Sequence, residues 1–394
     1  MSLFSDQIKI SIHLLPEFGW TIDGEPVYGP GSAFQGYVRV ELPEQPLKEK
    51  IERLRVLFHA SEALALSKPN NNGSKYKRQQ FFGTQRILWR CKTGAYQDSH
   101  GRVQDFPFTI QMPLVQFPPS MLIKNVYCCK FRLEAYLETR DDKQLAAAEC
   151  PLSYTPLIET RTTKLTQPYV IAKTWPGPSS SSSGSGNGNN NIGPIIRVGL
   201  ESLTFVAGDC ITPRIVSPTE CSYQMALLRS TISTRDTNKR HMITTIVAEA
   251  TDEELVIPSD LVPSVSYGRL MTIQYSLCIK VYPREANIAQ QKNTGLLSRL
   301  LKPSTAAVTF DDIPIQIGTL GYGIRGPSGL APYTDFKDVF DRSSDSSLPP
   351  LPVPEFVSTA EYKDCLPAYE SYHLPSYEED ILSQKTVDSC TSLS

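Results

Sequence analysis

No stretch of the chain approaches the roughly 18 consecutive apolar residues a membrane-spanning helix needs. The amino terminus, MSLFSDQIKISIHLL, has no basic region followed by an apolar core and a small-residue cleavage site, so no secretory leader is expected. Histidine is scarce: His13, His59, His100, His241 and His373 are scattered, without HExxH or any other ligand spacing, and no metal site is expected. GxSxG and GxxxxGK[ST] do not occur, which removes the usual hydrolase and P-loop hypotheses. The nine cysteines are an odd number with no CxxC pair, which is poor arithmetic for a disulfide framework or a zinc site. Reduced thiols in the cytoplasm are the expectation. Cys221 and Cys278 sit in strand-like apolar runs and are read as buried thiols rather than nucleophiles. Neither an enzymatic activity nor a cofactor is expected.

What charge there is lies unevenly. The net charge is -2, yet from Gly323 onward there are 12 Asp/Glu against 5 Lys/Arg, leaving the remainder mildly basic. That is far from the dense basic stripe of a nucleic-acid footprint, so no nucleic acid is expected as a partner. An acidic tail points to protein partners instead.

The apolar rhythm has period two. Ile8, Ile10, Ile12 and Leu14 alternate with polar residues, as do Leu54, Val56 and Phe58 against Arg53 and Arg55. In YCCKFRLEAYL, Tyr127, Cys129, Phe131, Leu133, Ala135 and Leu137 share one face, and Lys130, Arg132 and Glu134 the other. Successive side chains of a strand point to opposite sides, so each run is a strand with one buried face. Long amphipathic helix patterns are nearly absent, and the body reads as all-β sandwich. The segment TWPGPSSSSSGSGNGNNNIGP (174–194) has too little apolar content to offset its ordering entropy and reads as a disordered linker between two β-rich halves.

Those halves match one another. Setting Pro119-Ser120 over Pro263-Ser264 starts a long strand seven residues beyond each serine. The buried face of 127–137 then falls over Met271, Ile273, Tyr275, Leu277, Ile279 and Val281. GSAFQGYVRV (31–40) lies over GDCITPRIVS (208–217), each a glycine turn followed by alternating apolar residues. Two copies of one sandwich are expected.

In order and spacing, GPGSAFQGYVRVEL, DFPFTIQMPLVQFPPS, VAGDCITPRIV and DDIPIQIGTL (311–320) resemble the segments of the arrestins, specifically the α-arrestin (arrestin-domain-containing) branch. The resemblance covers roughly residues 5–320. It implies two immunoglobulin-like arrestin sandwiches in tandem, over 5–165 and 166–322, the second carrying the insert 176–194, followed by a disordered acidic tail over 323–394. It also implies a non-enzymatic, fungal-type adaptor that recruits a HECT-type ubiquitin ligase through the ligase's WW domains. Ubiquitin would then be passed to membrane cargo, through the cytoplasmic tails of transporters or receptors, for endocytosis. Such an adaptor is cytoplasmic, peripherally associated with plasma membrane or endosomes. The alternative is an arrestin-shaped trafficking or signalling scaffold that does not bind a ligase. No residues match the charge cluster that senses receptor phosphates in visual-type arrestins.

The tail adds chemistry of its own. Leu-Pro-x-Tyr occurs twice, as Leu366-Pro367-Ala368-Tyr369 and Leu374-Pro375-Ser376-Tyr377. WW domains hold polyproline II ligands in an aromatic groove; proline keeps such a peptide extended, and a tyrosine two places on fills a second pocket. The family's usual motif is Pro-Pro-x-Tyr, and leucine at the first position keeps the contact without fixing the backbone, so each copy alone is expected to be weak. LPPLPVP (348–354) is read as a stiff spacer, and Tyr333-Thr334-Asp335-Phe336 as a chance match to a tyrosine sorting signal. Lys75, Lys77 and Arg78 form a basic loop, and Leu296, Leu297, Leu300 and Leu301 one apolar helical face; both are candidates for peripheral membrane or cargo contact, against the plainer readings of a solvated hairpin and a loop helix covering a sandwich edge.

Overall fold

Wherever apolar and polar residues alternate the chain is extended, and the apolar side is the buried one. The computed structural model describes residues 8–15, 20–22, 24–42, 51–65, 76–91, 103–160, 168–175, 194–236, 239–283, 307–338 and 347–358. The chain to Val357 makes one compact unit; the second unit begins at Ser358. The architecture is all-β, with stacked sheets forming sandwiches.

The first part of the chain gives β1 (Lys9–Leu14), β2 (Trp20–Ile22), β3 (Glu25–Tyr28), β4 (Ala33–Glu41), β5 (Arg53–Ala65), β6 (Tyr76–Arg90), β7 (Val103–Gln111), β8 (Val115–Gln116), β9 (Met121–Ile123), β10 (Tyr127–Glu138) and β11 (Gln144–Tyr154). One sheet runs β1-β4-β7 and the facing one β2-β3-β11-β10-β5-β6. The second part gives β12 (Tyr169–Thr174), β13 (Ile195–Leu200), β14 (Thr204–Val206), β15 (Cys210–Ile211), β16 (Arg214–Val216), β17 (Cys221–Asp236), β18 (Lys239–Thr251), β19 (Leu255–Val256), β20 (Met271–Pro283) and β21 (Val308–Gly318). Here β12-β13-β16 faces β14-β21-β20-β17-β18. Two short strands follow, β22 (Ala331–Pro332) and β23 (Glu355–Val357).

The two large sheets repeat one another strand for strand. The order β3-β11-β10-β5-β6 answers β14-β21-β20-β17-β18, and in each the first pair is parallel while the others run antiparallel. The Pro-Ser pairs explain part of the match. Ser120 donates its backbone N–H to Tyr154 O and accepts the Tyr154 N–H on its hydroxyl (2.8 and 2.9 Å). Ser264 does the same with Ile317 at the same two distances. Each serine therefore seats the loop before the long strand against the strand that closes its sheet. The glycine turns also agree: Gly31 and Gly208 both have positive φ, 70° and 91°, and three places later Phe34 and Ile211 are fully buried.

Tyr127, Cys129, Phe131, Leu133, Ala135 and Leu137 are all buried, as the alternation requires, and so are their counterparts in β20. Of the two cysteines read as buried, Cys278 is, whereas Cys221 is only half-buried. Aromatic rings concentrate in the first sandwich, where Phe34, Phe58, Phe81, Phe82, Phe117 and Phe131 are almost wholly inaccessible.

Two expectations change. The Ser/Gly/Asn segment does not join the sandwiches. Trp175 donates its N–H to Pro194 O (2.7 Å) and β12 pairs with β13, so the residues on either side of the segment belong to one sheet of the second sandwich. The passage between sandwiches comes earlier, where Ile158 and Thr160 bond to Thr319 and Leu320. The tail, expected to be structureless from 323, instead begins as an ordered strap. Within it β22 lies parallel to β8, and β23 extends the sheet of β7, pairing Phe356 with Ile110. LPPLPVP is no spacer either: Leu351 joins the core and Pro350 bridges to Lys337. The physical reason is apolar content, since Leu351, Phe356 and Tyr333 gain more from burial than their short segments lose in chain entropy.

Candidate functional site

Of the residues expected to carry partner contact, Lys77 and Arg78 alone are among the described ones. Leu366, Pro367, Tyr369, Leu374, Pro375 and Tyr377 lie outside the described residues, as do Lys75, Leu296, Leu297, Leu300 and Leu301. Lys77 and Arg78 stand exposed at the start of β6.

The structure gathers a different constellation. On β5, Leu54, Val56, Phe58, Ala60, Glu62 and Leu64 occupy the inward positions, so a carboxylate sits where the pattern calls for an apolar side chain. Glu62 has no exposed surface. Tyr127 of β10 donates its hydroxyl to Glu62 Oε2 (2.7 Å), and Tyr333 of the strap donates to Oε1 (3.1 Å). The Tyr333 ring is itself fully buried, against Phe81 and Phe117 at centroid distances of 5.0 and 6.0 Å. A single 3-10 turn, Tyr333–Asp335, following β22 aims it inward.

Arg269, from the loop before β20, holds the strap from the other sandwich. Its backbone N–H donates to the Tyr333 hydroxyl oxygen (2.7 Å), and Nη2 donates to the carbonyls of Tyr333 (3.0 Å) and Phe336 (2.6 Å). The guanidinium also lies 4.9 Å from the Tyr333 ring centre. Asp338 accepts from Gln79 of β6 (2.7 Å) and lies 3.7 Å from Arg269. Glu62, Tyr127, Arg269 and Tyr333 thus tie both sandwiches and the strap at one point.

Burial lifts the Glu62 carboxyl to about 7, even though the hydroxyls of Tyr127 and Tyr333 and the charges of Arg269 and Lys77 pull it down. Burial also pushes the Tyr127 and Tyr333 phenols up, so both stay protonated donors. The sequence carries a signal for Glu62, a charge on an otherwise apolar strand face. Tyr333 carries none, because it lies in an irregular segment where no apolar period marks a buried side.

Other features offer less. On the outer face of the first sandwich, Arg53 and Arg55 both donate to Glu138 (2.6 and 2.5 Å), and Arg53 also pairs with Asp142. A cleft of about 890 Å³ on the second sandwich is lined by Val170, Arg197, Phe205, Cys210, Arg214 and Tyr322, among others; no histidine stands beside its thiol to act as a base. Gly321-Tyr322-Gly323-Ile324-Arg325-Gly326 has dinucleotide-loop glycine spacing, but it leads from an antiparallel-paired strand into the strap and opens no helix, so the pyrophosphate cradle is missing. Among the described residues there is no cluster of three or more metal-ligating side chains, and no helix is long and apolar enough to cross a membrane. Set against known proteins, the chain matches no family model and no curated sequence.

Proposed function

We propose that the chain is a non-enzymatic adaptor that brings a WW-domain HECT ubiquitin ligase to membrane-protein cargo. The observation that carries this reading is the doubled Leu-Pro-x-Tyr of residues 366–377, following a body of two repeated sandwiches. Tyr369 and Tyr377 are eight residues apart, on the order of 25 Å in a polyproline-like chain. That span lets two weak anchors engage two WW domains of one ligase and gain effective concentration. The resemblance of residues 5–320 to the arrestins supports the same reading.

The test is binding of the full chain to the tandem WW domains of a HECT ligase, as wild type, Tyr369→Ala, Tyr377→Ala and the double variant. Each single change is expected to weaken binding roughly tenfold by loss of avidity, and the double change to abolish it. No binding by the wild type would remove the ligase link and leave the trafficking scaffold as the reading.

A further inference from the structure

We propose that docking of the strap segment 331–338 onto the first sandwich is governed by the protonation of Glu62: the neutral acid holds the strap down, and the ionised carboxylate loosens it. The inference does not depend on the ligase reading, because it concerns the junction alone.

The geometry carries it. Glu62 has no exposed surface, and its two oxygens are met by two phenols rather than by a cation. The nearest guanidinium, that of Arg269, spends Nη2 on the backbone carbonyls of Tyr333 and Phe336. A charged carboxylate in such a place is poorly compensated, whereas a neutral acid keeps hydrogen bonds to both phenols at far smaller burial cost. One of the two phenols, Tyr333, arrives with the strap and leaves with it. When the strap lifts, the carboxylate keeps Tyr127 and gains water, so ionisation favours the lifted state.

The groups facing Glu62 come from every element packed on it. They are Tyr127 and Cys129 from β10, Lys77 from β6, Arg269 from the loop before β20 and Tyr333 from the strap, with Tyr267 and Asp338 adjoining the last two. Arg269 and Lys77 favour the charged form, and burial outweighs them. The sign follows by linkage. The carboxyl binds its proton more tightly with the strap docked than with the strap lifted. Docking is therefore strongest in mild acid, weakens as pH rises above the ordinary carboxylate value, and levels off above about 7.

The experiment is amide hydrogen exchange of the full chain across about pH 5.5 to about pH 7.5, corrected for intrinsic exchange, reading 331–338 against β10 as internal reference. In the wild type the protection of 331–338 is expected to fall on the order of tenfold over that range while β10 stays constant. Glu62→Gln, neutral at every pH, is expected to keep 331–338 protected with a flat profile. Tyr127→Phe removes a bond that favours the charged form, so the pH at which protection levels off should rise. A flat wild-type profile overturns the proposal. So does a Glu62→Gln profile that follows the wild type, or a Tyr127→Phe profile whose levelling point does not move.

Discussion

Ser120 and Ser264 sit at equivalent places in the two sandwiches, but their hydroxyls have different amounts to lose. Ser120 Oγ accepts from Tyr154 N–H and also donates to Leu152 O (3.0 Å), while Ser264 Oγ accepts from Ile317 N–H. Replacing either by alanine strands a partner, at about 1–3 kcal/mol for each buried group left unpaired. Ser120→Ala is therefore expected to lower the stability of the chain more than Ser264→Ala, as read by denaturant unfolding. A second residue-scale expectation concerns acid. Burial alone would raise the Glu138 carboxyl, but hydrogen bonds from Arg55 and Arg53 outweigh it and hold the group below its ordinary value. Its contribution to stability is thus present above that ordinary value and lost as pH falls through the lowered one. Glu138→Gln should flatten the acid limb of the stability curve, and a limb as steep as the wild type's would refute the pairing as its source.

Among the elements, the loop between β12 and β13 makes the clearest case for length tolerance. Its two ends already meet through Trp175 N–H and Pro194 O, and loop closure entropy grows only slowly with length. Replacing 178–192 by a two-residue turn removes nearly two doublings of loop length, about 1 kcal/mol, so the melting temperature should rise by no more than about 2–4 °C. The sandwiches were legible because their strands alternate: β5, β10 and β20 show their inward faces in one-dimensional order, and the Pro-Ser pairs mark the register between copies. The strap was not legible, because β22 and β23 are two and three residues long, too short for any period to show. Their pairing partners β8 and β7 lie more than 200 residues upstream, and nothing local in Ala331-Pro332 or Glu355-Phe356-Val357 names them. The junction at Glu62 was half legible for the same reason: its strand residue broke a visible pattern, while Tyr333 and Arg269 came from irregular segments. The two Leu-Pro-x-Tyr copies are legible only as sequence, and the described residues stop short of them.

At the scale of the whole molecule, the sandwich that sequence would end near 165 is incomplete without distant parts of the chain. Tyr333 covers Phe81 and Phe117, Phe356 adds to the sheet of β7, and Arg269 holds Tyr333 and Phe336 from the second sandwich. A chain ending at 330 should melt lower and bind apolar dye, and a separate peptide of 331–358 added in trans should restore the wild-type melting curve. Failure of the peptide to restore it would show that covalent attachment, rather than the strap's contacts, sets the stability. The order of the chain has a consequence in time. Strands β1 to β11 have all been made by Tyr154, but β23, the last strand of their sheets, ends at Val357. At about 5–20 residues per second of synthesis, the ribosome needs roughly 10–40 s to deliver that last strand. For that interval the nascent first sandwich carries an open β7 edge and a bare aromatic floor, which is the state a chaperone would meet.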